Sequence, residues 1–507
     1  MMKQNLNQNT QIKAEQNTQA EAEKNTQTAA EQSTGRTALA GRRALQKDMT
    51  VGTPWKIILE FAIPICIGNI FQQFYSMVDT IIVGKFVGTD ALAAVGATGT
   101  ISFLILGFVM GMTAGFLVPA GQRFGAGDFR SMRQNVGCAI LLSVITTVIL
   151  TAVSCLGMHW MLNVMHTPSD IIGLSYEYII IICGGMFTMV LYNLASGILR
   201  AIGNSRIPLY FLILSATLNI FLDLLFVITF RMSVAGAAWA TVISQGISGV
   251  ACVLYIAKNV PLLRLSRDDL KLRRDVAEQQ LMIGIPMALQ FSITAIGTVM
   301  VQTALNTLGT LYVASYTAAS KIESLVTQMF PAEGTTMASY CAQNAGAGKY
   351  DRIRKGIRAS NLQSFIYAVL ACILMITVGK NLTVLFISDQ LTQIIPLVGQ
   401  YLLCTAVMYI PLGMIFIYRN ALQGMSFSLV PMLGGVVELA ARAVSCPWRR
   451  LRRKAILASA WQARSPGSRR VFSWRSDLRF CRRSFPGRRE RNEVHLTCVG
   501  HRLSVVF

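Results

Sequence analysis

A chain of 507 residues that is 53% hydrophobic, only 14% charged and of mean hydropathy +0.49 is too apolar for a water-soluble domain of its size. Its formal charge of +22 invites a nucleic-acid-binding reading, but the positive side chains are lumped rather than spread over a face, so no nucleic-acid partner is expected. What remains is a protein of the bilayer.

Residues 1–48 repeat a loose octapeptide (QNTQIKAE, QNTQAEAE, KNTQTAAE). With almost no large apolar side chains they cannot offset the entropy of ordering, and a disordered polar tail is expected. They lack the charged start and apolar core of a signal peptide. Apolar runs then recur at 57–83, 91–119, 136–158, 171–194, 207–229, 233–257, 281–304, 312–340, 359–379 and 391–417, with an eleventh starting near 429. Each approaches the ~20 residues a helix needs to cross the hydrocarbon. With the N-terminus in the cytoplasm, 17 Lys and Arg fall in the inner connections and only Lys85, Arg231 and Lys380 outside, the asymmetry of an inner-membrane topology.

The runs form two copies of one unit. At an offset of 221, Gln122 falls on Gln343, Gly125-Ala126-Gly127 on Gly346-Ala347-Gly348, Arg133 on Arg354 and Gly88 on Gly309, with Pro64 answering Pro286 within one residue. An even number of spans per copy puts both halves in one orientation, the parallel-repeat plan of some transporters. The expected division is an N-lobe over 49–258, a cytoplasmic linker over 259–280, a C-lobe over 281–444 and an Arg-rich tail over 445–507. The fold expected is all-α and integral to the membrane, two pseudo-symmetric lobes with 10–11 recognisable spans of 12. The tail holds 16 Lys and Arg against 3 Asp and Glu and breaks off inside a repeat unit. We read it as a frameshift or truncation near Val444; the alternative is a genuine basic tail that binds anionic lipid headgroups or nucleic acid.

An acid inside a span costs roughly 2.5–3.5 kcal/mol on insertion scales, so it faces a protein interior, a water-filled cavity or a cation. Asn219 and Asp223 lie four residues apart in LNIFLDLLF and share a helix face; Ala237 and Thr241 do so in GAAWAT. Asp79 lies fifteen residues after Pro64, a proline that removes one helical hydrogen bond and makes bending cheap. Protonation or sodium would each neutralise such acids. Glu177, Lys321, Glu323, Glu333 and Glu438 carry a structural reading at least as strong, Lys321 and Glu323 as a helix-end or internal pair. Gly107, Gly111 and Gly115 are read as a close-packing stripe, His159 and His166 as external loop residues, and the scattered cysteines as small buried side chains. Neither a zinc-peptidase HExxH nor a phosphate-binding P-loop is present. No enzyme activity, cofactor or metal is expected, and Cys481, Cys498 and His501 lack metal spacing.

Asp79 in VDTIIVG, LNIFLDLLF, GAAWAT and the paired QRFGAGD and QNAGAGK loops together resemble the multidrug and toxic compound extrusion family of cation-coupled antiporters, over roughly 49–444. The resemblance implies two six-helix lobes around a V-shaped cleft, with small amphipathic or cationic molecules exported against inward Na+ or H+. It implies cation binding by Asp79, Asn219, Asp223 and Thr241 with the Ala237 carbonyl, Asn193 as a candidate for a proton network, and Pro64 as hinge. Some members carry an acid in the seventh span; here that span has none, and Gln290 and Gln302 are at most substrate contacts. The implied protein is a monomer in contact with membrane lipid. A lipid-linked oligosaccharide flippase of the same broad fold, an inactive remnant and a channel are the alternatives.

Overall fold

Lipid offers the backbone no hydrogen-bond partner, so apolar runs of this length close their N–H and C=O groups within helices. The computed structural model describes residues 48–165, 167–306, 310–379 and 391–445. The polar repeat through residue 47, His166, Gly309, Lys380 and the Arg-rich stretch 446–507 with Cys481, Cys498 and His501 lie outside them. The first half holds α1 (Pro54–Phe86), α2 (Thr89–Gly125), α3 (Phe129–Val164), α4 (Ser169–Gly184), α5 (Met186–Ala201), α6 (Arg206–Asp223) and α7 (Ser233–Asn259). The second holds α8 (Arg274–Asn306), α9 (Thr310–Val326), α10 (Met329–Gly346), α11 (Tyr350–Thr377), α12 (Leu391–Val407), α13 (Tyr409–Gly424) and α14 (Leu429–Ser445). Among the described residues seven helices are long and apolar enough to cross a membrane, or nine if each of two bent pairs is one span.

Three expected spans are broken. The run at 171–194 divides at Gly185 into α4 and α5, bent by 44°, and that at 391–417 divides at Met408 into α12 and α13, bent by 48°. The run at 312–340 divides at Thr327–Gln328. Gly185, at the first of these breaks, is also a close helix contact: a Cβ there would stand 2.3 Å from Val242 of α7. The seventh run starts early, at Arg274, and the connection before it is docked. Asp269 accepts from the Ser266 backbone N–H at 2.9 Å and hydroxyl at 2.8 Å, with Arg133 of α3 at 3.6 Å. Gln280 donates to the Asn135 carbonyl at 2.7 Å.

The repeat shows in the turns. Gly127 and Gly348, equivalent positions, both take left-handed backbone (φ +74° and +70°), which glycine adopts without a Cβ penalty as a helix terminates. Asp128 then caps α3 by accepting from the Ser131 N–H, whereas its equivalent Lys349 reaches the Thr50 carbonyl at 3.0 Å. At this end the lobes meet by a reciprocal contact. Gln122 donates to the Gly424 carbonyl and the Ser426 hydroxyl, each at 2.9 Å, and Gln343 donates to the Ala201 carbonyl at 2.9 Å. Farther along the seam the glycine stripe of α2 lies against α8: a Cβ on Gly115 would stand 2.5 Å from the Gly284 Cα.

Helix α1 belongs to both lobes. Its first turns place Ile57, Ile58 and Phe61 in a core with Met337, Tyr340, Ile357 and Ile417. Beyond Pro64 the partners change: Gly68 abuts Leu212 of α6, and Ile82 and Val83 join Val227, Val234 and Ala237. Pro64 thus sits where the helix passes from one core to the other.

Candidate functional site

α6 is built inside out for lipid. Its buried face carries Ser215, Asn219 and Asp223 at helical spacing, while Phe221 and Leu214 are exposed. Asp223 is fully buried, and neither carboxylate oxygen has a hydrogen-bond partner among the described residues. The regular helix ends at this residue and continues as a π-helical turn, Leu224–Thr229, a widening common at functional sites. The return to α7 uses left-handed Arg231 and Ser233 (φ +53° and +54°), a conformation unfavourable to residues with a Cβ and retained only where the surroundings enforce it.

Asp79 lies on the α1 segment that packs on this hairpin and is half-buried, with Oδ1 unpartnered. Its charge reaches that of Asp223. Asn219 donates to the Thr241 hydroxyl at 3.4 Å, leaving its own Oδ1 unpartnered. Ala237 is buried one turn before Thr241. The structure therefore brings Asp79, Asp223, Asn219, Thr241 and Ala237 to one region of the first half.

Two residues not anticipated at this site join it. Tyr178 of α4 lies in the field of both aspartates. Gln245, buried with Oε1 unpartnered among the described residues, faces Tyr75 of α1. Gln245 was legible as the next step of the 237, 241, 245 face of α7; Tyr178 carried no such signal. Asn193 is separate in its bonding, since its amide donates to Met189 within α5. The unpartnered oxygens of Asp79, Asp223, Asn219 and Gln245 are hard donors of the kind a small cation takes.

The remaining polar side chains singled out in the sequence have contacts of their own. Glu323 accepts from the Tyr401 hydroxyl at 2.7 Å. Gln290 is held within the second half by Gln423 at 2.6 Å. His159 lies in the last turns of α3, stacked on Tyr176 at 4.0 Å, not in a loop. An apolar pocket of about 350 Å³ lies between Ile70 and Phe74 of α1 and Leu325, Tyr367 and Leu374 of the second half.

Two repeated helical halves, a helix shared between them and buried acids beside it define a polytopic membrane transporter. The MatE family matches residues 64–225 and 283–448. The chain is 30% identical over 376 residues to the probable multidrug resistance protein YpnP of Bacillus subtilis (strain 168), covering 74% of this chain and 84% of that one. It is 25% identical over 373 residues to the FAD transporter of Shewanella oneidensis, covering 73% and 82%. A solved outward-facing multidrug resistance MATE family transporter of the MOP superfamily superposes with a TM-score of 0.79 at 21% identity, over 86% of this chain and 98% of that one. The chain belongs to the MatE family of membrane transporters.

Proposed function

We propose that the chain exports small amphipathic, often cationic, organic molecules through a bacterial-type cytoplasmic membrane in exchange for Na+ or H+, by alternating access. The observation that carries this is the fully buried Asp223, whose carboxylate has no partner among the described residues, with the half-buried Asp79 and its unpartnered Oδ1 across the α1–α6 contact. Two like charges this close, one of them fully buried, are costly without a compensating cation, so cation uptake stabilises one arrangement of α1 and cation loss another. Pro64, between the two cores, is where α1 bends. Asn219, Thr241, Gln245 and the Ala237 carbonyl complete the cation site, and Asn193 lies on the proton route to it.

The lobes divide as 49–258 and 281–444, joined by the linker 259–280, with the N-terminus and the Gln122–Gln343 seam on the cytoplasmic side and the protein acting as a monomer among lipids. The substrate lies between the lobes, where the apolar pocket lining favours organic cations over phosphate-bearing molecules. The B. subtilis relative is named for multidrug resistance, in keeping with that choice.

The test is ethidium efflux from proteoliposomes with an imposed Na+ or H+ gradient, for the parent chain, Asp79→Asn and Asp223→Asn. Each substitution is expected to lower ion-driven efflux by about tenfold or more. Gradient-driven efflux at the parental rate in both variants would remove the site.

A further inference from the structure

The second half carries an acid that the site above does not use. Glu333 of α10 is fully buried, and among the described residues no hydrogen bond of ordinary geometry reaches either oxygen, the Ser364 hydroxyl being the group placed to make one. Among the described residues no salt bridge includes it. A bare carboxylate so placed is among the costliest groups a membrane protein can hold, and where one is kept it normally serves ion or proton movement.

Helix register defines its surroundings. Helices α10 and α11 run antiparallel: Gly356 abuts the Tyr340 ring, Phe330 lies edge-on to Tyr367 at 5.5 Å, and between these levels Glu333 faces the Ser364 hydroxyl. Ser360, one turn away, is fully buried, and its hydroxyl has no partner among the described residues. On α13, Gly413 leaves room for Ser364, since a Cβ there would stand 2.0 Å from its Oγ. The neutral Asn420 amide lies against Gly334. On α1, Cys66, two residues past Pro64, lies in the field of Glu333, as does Tyr367 of α11. Helix α2 carries no titratable side chain between residues 98 and 122. No described group of three or more His, Cys, Asp or Glu suits a metal ion. What the pocket offers is one carboxyl group and rotatable hydroxyls, which can accept from a carboxylic acid or donate to a carboxylate. That is the equipment for a proton.

We propose that Glu333 is a proton-binding site of the second half, filled and emptied during transport, with Ser364 and Ser360 exchanging donor for acceptor roles and the Pro64–Cys66 segment of α1 governing its access to water. The proposal rests on the reading that cations drive transport, but not on Asp79 or Asp223. One proton is taken from water in the cleft and returned to water, and no other bond changes.

The first test is infrared difference titration of the full chain carrying Asp79→Asn and Asp223→Asn, with and without Glu333→Gln. A protonated-carboxyl band that disappears on alkalinisation, is absent after Glu333→Gln and shifts after Ser364→Ala is expected. A band that persists after Glu333→Gln, or a Glu333 that stays protonated at every pH the protein survives, overturns the proposal. The second test is pH-gradient-driven ethidium efflux. Glu333→Gln should lower it about tenfold with ethidium binding retained, and Glu333→Asp should restore most of it. Loss in Asp223→Asn with parental efflux in Glu333→Gln would sink the Glu333 proposal alone. The reverse outcome would sink the Asp79–Asp223 site and leave Glu333 standing.

Discussion

The seam between the lobes permits a sharp prediction, because two glycines there meet backbone rather than side chains. A Cβ on Gly125 would stand 1.9 Å from the Gln343 carbonyl oxygen and 2.5 Å from its carbonyl carbon; on Gly346 it would stand 1.8 Å from the Gln122 carbonyl oxygen. Both are about 1.5 Å short of the 3.4 Å at which ordinary contact begins. Neither carbonyl can turn aside, so alanine at either position must part the lobes. Overpacking of this kind costs about 1–3 kcal/mol, and the cost falls only on the closed seam. The balance between closed and open seam should therefore move about 5- to 150-fold toward open. Distances between spectroscopic labels at exposed Arg130 and Lys355 would measure it, and Gly125→Ala and Gly346→Ala should give the same displacement, as their pseudo-symmetric contacts require. Unchanged distance distributions in both variants, with efflux at the parental rate, would refute the reasoning.

Pro64→Ala restores a backbone N–H to the turn joining the two cores and should stabilise the continuous form of α1 by about 1–3 kcal/mol; thermal unfolding should rise while efflux slows. Gln245→Leu removes an unpartnered oxygen beside Tyr75 and is expected to weaken Na+ or H+ dependence of efflux while leaving ethidium binding near the parental value. The linker responds differently. Burial pushes the Asp269 carboxyl up, but the Ser266 N–H and hydroxyl and the Arg133 and Arg130 guanidiniums outweigh it and hold the group below the usual carboxylate range. A depressed folded-state value gives stability that is present above about pH 4 and lost as pH falls through the lower value. The docked linker should therefore survive mild acid, and Asp269→Asn should cost about 2 kcal/mol at neutral pH by thermal unfolding.

Much of this architecture was written in periodicity. Gly127 and Gly348 stand at the predicted offset and do the same work at the same φ. Asn219 and Asp223 share a face because four residues make about one turn. Reciprocity was hidden: the match of Gln122 with Gln343 reveals a repeat but not that each amide reaches into the opposite half. The helix breaks were hidden too, as was the close contact at one of them, where Gly185 meets Val242, a residue 57 positions away. Nothing in the composition of α1 tells which core its first turns enter, because Ile57 and Ile82 are equally apolar. Glu333 looked structural in sequence, for a lone acid reveals its lack of partners only when the neighbouring helices are in place.

The division of α1 also explains why one helix can link the two halves of the molecule. If it were packed wholly on the first half, charge changes at Asp79 would be spent locally. Its first turns are instead pinned in the other core by Ile58 and Phe61, and below them Met49 is held by Gln343 through its N–H at 3.0 Å and by Arg352 through its carbonyl at 3.2 Å. Movement at the Asp79 end must then appear either as a bend at Pro64 or as displacement of the core containing Tyr340. The bend costs less, because proline has already removed the hydrogen bond that bending would break, whereas displacement would open a close-packed core. On our reading, the acid flanking that bend in the second half, Glu333, is the group positioned to register it.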